Sequence, residues 1–167
     1  MTPKKLIAEL KARGVRVALA ESCTGGLVAA ALTAVPGSSD VFDRGFVTYS
    51  NESKHELLGV PKALLKRHGA VSEQVAKAMA KGALARSNAN IAIAVTGIAG
   101  PGGGTPDKPV GLVYLAGAVG RQKPFSARIN LGDLGRNNIR KISVEYALGM
   151  LEGLLLRENI FGTKLKG

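Results

Sequence analysis

The hydrophobic pattern changes period several times along the chain, and each change predicts an element. The opening MTPKKLIAELKARG is amphipathic, with Thr2 placed to cap a helix, Pro3 at its first position and Gly14 just past its end. VRVALA, Val15 to Ala20, is short and β-branched and reads as a buried strand. TGGLVAAALTAV reads as an alanine-rich helix halted by Pro36-Gly37, and RGFVTYS, Arg44 to Ser50, as a second strand followed by a polar NESKHE loop. Pro61 to His68 predicts a short helix ended by Gly69, and Ser72 caps a longer one, EQVAKAMAKGALARS. IAIAVTG, Ile91 to Gly97, is almost wholly apolar, the mark of a strand covered on both faces.

A Gly/Pro-rich run, IAGPGGGTPDKPVG, then excludes both helix and strand. GLVYLAGAV and FSARINL, joined by GRQKP, predict an antiparallel hairpin. Ile139, Ile142, Tyr146, Met150 and Leu154 recur at helical spacing through a long last helix. Its Gly149 and Gly153 point to close packing, against the sheet or against another subunit, and so to a homodimer. Helices alternating with buried strands, plus one hairpin, give an α/β fold: a three-layer α/β/α sandwich with a mixed, mostly parallel central sheet. No internal repeat or linker divides the 167 residues, so one domain over 1–167 is expected.

In such sheets ligands sit beyond the carboxyl ends of the strands. Three segments follow those ends: ESCTGG, NESKHE and GIAGPGGGTPDKP. The glycine-rich one is no P-loop, since no lysine and hydroxyl follow its last glycine. Nor is it a dinucleotide fingerprint, since residue 105 is threonine. With two histidines, one cysteine and no HExxH or CxxC spacing, the chain offers no metal site. A serine triad lacks its histidine too: His68 ends a helix, and His55 cannot share a face with its neighbour Lys54. Ser22 then needs another base. Lys54 can serve if burial or nearby positive charge brings its pKa down, and Ser-Lys pairs are a recognised alternative to the triad. Tyr49, five residues earlier, can orient the lysine or relay a proton.

Composition narrows the partners. A net charge of +11 suits an anionic ligand. Aromatics at 4%, no tryptophan and scattered basic residues argue against nucleic acid and for a phosphorylated metabolite. One cysteine excludes an internal disulfide and fits a reducing compartment. No apolar run approaches the ~20 residues of a membrane span, and the N-terminus does not read as a signal peptide, so a cytoplasmic protein is expected.

Three segments, ALAESCTGG, PGSSDVFDRGFVTYSNESKHELLGV and AVTGIAGPGGGTPDKPVG, carry a resemblance that covers nearly the whole chain. In this order and spacing the sequence resembles the C-terminal domain of competence/damage-inducible protein A, whose enzymatic members are nicotinamide-nucleotide amidohydrolases. The resemblance implies a stand-alone form of that domain. It also implies hydrolysis of nicotinamide mononucleotide to nicotinic acid mononucleotide and ammonia, without a cofactor. It places the nucleophile on Ser22, the lysine on Lys54, the tyrosine on Tyr49 and an amide-side threonine on Thr96. The substrate-contacting arginine falls near Arg136. Leu134 and Gly135 interrupt the usual Gly-Asp-Arg run there, which leaves Arg140 as the alternative. Backbone N–H groups from Thr24 through Gly26, at the mouth of the following helix, are expected to hold a negative oxygen or phosphate. With Gly97 these complete the expected substrate contacts, and Cys23 is expected to face the core. The alternative is a non-catalytic binding module of the same fold, serving competence or the DNA-damage response.

Overall fold

The computed structural model describes residues 1–157; residues 158–167, the end of the expected 1–167 domain, lie outside the described residues. The elements in chain order are α1 (Pro3–Ala12), β1 (Val17–Glu21), α2 (Leu27–Thr33), a 3₁₀ turn (Ser38–Asp40) and β2 (Phe42–Val47). There follow α3 (Asn51–Leu58), α4 (Lys62–His68), α5 (Glu73–Ala85), β3 (Ile91–Gly97), β4 (Leu112–Val119), β5 (Phe125–Asn130) and α6 (Arg136–Leu155). The five strands lie in the order β2-β1-β3-β4-β5, with β2, β1 and β3 mutually parallel and β4 antiparallel to both β3 and β5. This is the expected mixed α/β sandwich, its parallel core extended by the hairpin that GRQKP connects.

Alternation along the strands sorts the two faces. Val17, Leu19, Ile91, Ile93, Val95, Val113 and Leu115 join the core built with α1, α2 and α6. Ala18, Ala20, Ala92, Ala94, Ala116 and Ala118 face α5, where small side chains let the helix lie close. Close approach recurs between helices: a methyl group on Gly82 of α5 would collide with the Leu58 carbonyl, so the end of α3 is seated against α5 backbone. That contact fixes the helix that carries Lys54.

The first strand is shifted to Val17–Glu21, and three further segments near it differ from the sequence reading. The helix expected from Thr24 begins only at Leu27, because Gly25 and Gly26 both take positive φ in the turn before it. The second strand runs from Phe42 to Val47, not from Arg44 to Ser50. The polar NESKHE segment is a helix, not a loop. Ser50 caps it by accepting from the Ser53 amide at 3.0 Å, while Ser53 Oγ accepts from the Ser50 amide at 3.2 Å. Among the described residues, no helix is long and apolar enough to cross a membrane.

Candidate active site

Strand order places the site. β1 and β3 are neighbours, and the chain runs on from β1 to β2 on one side and from β3 to β4 on the other, the switch point at which open α/β sheets form a crevice. In register, Glu21 stands opposite Val47 on one side and Val95 on the other, so Ser22, Thr48 and Thr96 follow together at the same edge. α3 starts just beyond Thr48 and turns one face inward. Its buried residues are Lys54 and Leu58, one turn apart.

Lys54 is 1% exposed. Its Nζ donates to the Thr48 carbonyl at 2.8 Å and to Ser22 Oγ at 3.0 Å. Burial disfavours the charged amine and lowers its pKa from the ordinary 10.5, so its neutral form is more accessible than for a surface lysine. Neutral, the same nitrogen can take the Ser22 proton along the hydrogen bond it already makes.

The pair opens into a cavity of about 270 Å³, at the small end for metabolite pockets. Its walls are Thr96, Gly97, the loop through Gly103 and Arg136, with Tyr49 at the rim. Thr96 Oγ1 donates to the Ala70 carbonyl at 2.9 Å, which leaves its lone pairs free to accept. Arg136 donates to the Gly100 carbonyl at 2.9 Å and to the Tyr49 hydroxyl at 2.8 Å, closing one side of the mouth. Tyr49 is 59% exposed and bonded to Arg136, and among the described residues it has no hydrogen bond to Lys54 or Ser22. Lys54 is oriented instead by the Thr48 carbonyl.

Thr24, Gly25, Gly26 and Arg140 are not brought to this cavity. Arg140 lies behind the Ser22 turn and donates to the Cys23 and Thr24 carbonyls, both at 3.1 Å. Of the two candidate arginines, only Arg136 faces the cavity. Two of the amides expected to hold an anion, those of Gly25 and Gly26, are already bonded within the protein. Glu21, which the sequence reading passed over, is buried under the turn and accepts from the amides of Gly26 at 3.0 Å, Val28 at 3.0 Å and Ala29 at 2.8 Å. The Gly25 amide is spent on the Ser22 carbonyl at 3.0 Å. The signal was available: an acidic residue closing an apolar strand and followed by a glycine turn is placed to cap the helix beyond it.

Cys23 is buried and its thiol is pushed up to about 11, mainly by burial and further by the Glu21 charge, so little thiolate exists at neutral pH. His55 Nδ1 lies 2.9 Å from the Val60 carbonyl and so donates to it, and the His68 carbonyl accepts from Lys108. Neither histidine lines the cavity. Among the described residues, no three His, Cys, Asp or Glu side chains gather in a metal-sized group.

The family model of the CinA C-terminal domain matches residues 2–155. The chain belongs to this family. A CinA-like protein of Akkermansia muciniphila is 52% identical over 150 residues, which make up 89% of this chain and 36% of that protein. The chain thus spans little more than a third of the length of the curated relatives it matches. Among solved structures, the competence/damage inducible protein CihA from Agrobacterium tumefaciens superposes with a TM-score of 0.89 at 51% identity, covering 91% of this chain and 92% of that one. The competence damage-inducible protein A (ComA) from Klebsiella pneumoniae superposes at 0.87 with 39% identity, covering 95% and 99%. In this chain the Ser22–Lys54 contact lies at the crevice of the sheet.

Proposed function

We propose that the protein hydrolyses a carboxamide by a Ser-Lys mechanism, with nicotinamide mononucleotide as substrate and nicotinic acid mononucleotide and ammonia as products. The observation that carries the reaction class is the buried Lys54 Nζ, 3.0 Å from Ser22 Oγ at the floor of a cavity. A surface lysine holds its proton and cannot act as a base at neutral pH; a desolvated one can. The choice of substrate rests on the family resemblance, and a small cavity closed by Arg136 and a glycine-rich loop suits a compact anionic molecule.

In the first half-reaction neutral Lys54 takes the Ser22 proton as Oγ bonds to the carboxamide carbon. The tetrahedral intermediate collapses when the Lys54 ammonium returns that proton to the leaving nitrogen. Ammonia departs and an ester remains on Ser22. Water then attacks the ester with Lys54 again as base, and the carboxylic acid leaves as Ser22 recovers its proton. The Gly25 amide is committed to the Ser22 carbonyl and those of Gly26, Val28 and Ala29 to Glu21, so the oxyanion is assigned to the glycine-loop backbone that lines the cavity, and Arg136 at the mouth to binding of the substrate. Thr96 Oγ1 accepts from the carboxamide N–H, which favours an amide over an acid in the pocket.

The test compares ammonia release from nicotinamide mononucleotide and from free nicotinamide. Binding of the remote phosphate helps to orient the reacting amide, so free nicotinamide should be much poorer in turnover as well as in affinity. Equal kcat/KM for the two would refute the mononucleotide assignment, and no ammonia from either would refute the reaction.

A further inference from the structure

Among the described residues, Thr24 Oγ1 and Thr48 Oγ1 are buried without a hydrogen-bond partner. A buried hydroxyl left unpaired costs stability and calls for an explanation. For Thr48 the strand ends supply one. The ladder runs one residue past the strands, with the Thr48 amide donating to the Glu21 carbonyl at 2.8 Å and the Ser22 amide to the Val95 carbonyl at 2.9 Å. Alternation therefore decides which way the side chains turn. Val47 turns toward the mouth of α2, where a Cβ on Gly26 would lie 3.7 Å from its Cγ2, while Phe46 packs with the alanines on the α5 side. Thr48 turns with Phe46, as Ser22 turns with Ala20 and Thr96 with Ala94. Lys54 reaches this same face from α3. Its Nζ already donates to the Thr48 carbonyl, so the hydroxyl of that residue is only a few bonds from the amine. The nitrogen has places for three hydrogen bonds and makes two, to that carbonyl and to Ser22 Oγ. A buried amine and a buried hydroxyl, each one bond short, stand on one face at one strand end.

We propose that Thr48 is a further positioning residue of the reaction: its hydroxyl accepts the third N–H of Lys54 and holds the amine through the proton transfers. This rests on the Ser-Lys mechanism proposed for the site. When Lys54 takes the Ser22 proton it becomes an ammonium with three N–H groups. One stays on the Thr48 carbonyl, and one faces the reacting centre and passes its proton to the leaving nitrogen. The third needs an acceptor in buried surroundings, and the Thr48 hydroxyl supplies it, stabilising the charge as it forms. The other groups around Lys54 do not. The inward residues of α5 are apolar, among them Val75, Ala76 and Met79. Glu21 is bound to the α2 amides on the other face of the sheet. Cys23 is a buried thiol with a raised pKa, and Tyr49 and Arg136 bond to each other at the rim.

Thr48→Val keeps the shape and removes the hydroxyl. A merely structural role predicts a neutral or slightly stabilised protein with unchanged chemistry, since an unpaired polar atom gives way to a methyl group. The positioning role predicts an equally sound fold in urea unfolding but a kcat lower by about tenfold. The acid limb of kcat/KM should also move to lower pH by about one unit, because the ammonium has lost an acceptor. Thr48→Ser should keep both near the wild-type values. Lysine carrying an NMR-active carbon at Cε, with Lys54→Met to assign the signal, reports the Lys54 titration without any substrate. That titration should move to lower pH in Thr48→Val and not in Thr48→Ser. The two arms separate the claims: absence of ammonia release would refute the hydrolase, and the titration would still decide the role of Thr48. An unmoved Lys54 titration in Thr48→Val would overturn the proposal, as would a Thr48→Ser protein as slow as Thr48→Val.

Discussion

Replacing Glu21 tests whether the turn that presents Ser22 is held from beneath. Its carboxyl group accepts three amide hydrogens, with Gly26 and Val28 sharing one oxygen and Ala29 bonded to the other. Glu21→Ala strands all three donors. An unsatisfied buried donor costs about 1–3 kcal/mol, but water can reach the half-buried Gly26 and Ala29 amides, so the loss should be about 3–5 kcal/mol. That is a large share of the roughly 5–15 kcal/mol of a whole domain, and the variant should be barely folded. Glu21→Gln is the more informative change. Its one oxygen can keep the Gly26 and Val28 bonds, while its NH₂ faces the Ala29 donor, a loss of about 1.5–3 kcal/mol. The turn then relaxes and Ser22 moves relative to Lys54. A displacement near 1 Å can reduce a rate by about 10²-fold, so kcat should fall on the order of 10–100-fold with little change in KM. Urea unfolding gives the stability and steady-state ammonia release gives the split. A Glu21→Gln protein with wild-type stability and kcat would refute the claim that these bonds hold the nucleophile.

The two arginines should separate cleanly: Arg136→Ala should raise KM with modest loss of stability, whereas Arg140→Ala, which frees the Cys23 and Thr24 carbonyls, should lower the unfolding midpoint first. Equal effects of both on KM would contradict their placement. The rate should depend on the neutral form of Lys54, so kcat/KM should fall as pH drops below its lowered pKa, and Lys54→Arg, which cannot deprotonate, should be inactive at every pH. The same shift has a sign for stability. The unfolded chain holds the Lys54 proton up to about the ordinary 10.5 while the folded chain releases it earlier, so stability should rise with pH between those two values. Lys54→Met should lack that rise in paired urea titrations; identical pH slopes for the two proteins would show that the lysine is not desolvated.

The strands and longer helices were legible because their buried positions keep one period, and the three-segment crevice followed from where apolar runs stop. NESKHE was misread as a loop for a physical reason. The inner face of α3 carries only Lys54 and Leu58, and a buried lysine counts as polar in any hydropathy pattern. The base that the chemistry required therefore hid the helix that holds it. The mouth of α2 was misjudged for a related reason: unbonded amides were assumed where a strand residue, Glu21, reaches forward to occupy them. Neither Arg140 behind the turn nor Arg136 at the cavity could be told apart by spacing, since both lie on one helix and only the tertiary fold decides which faces the cavity.

The decisive measurement sets Ser22→Ala beside Cys23→Ala in the ammonia-release assay on nicotinamide mononucleotide. Cysteine is intrinsically the stronger nucleophile, but Cys23 is buried with a raised pKa, and the Lys54 amine is bonded to Ser22. Ser22→Ala should lose at least about a thousandfold in kcat, the scale of removing an activated nucleophile, and adding Lys54→Ala should reduce it little further because the pair acts as one unit. Cys23→Ala should fold and keep most of its activity, and iodoacetamide should inactivate the native protein slowly or not at all. A dead Cys23→Ala beside an active Ser22→Ala would contradict the Ser-Lys mechanism outright.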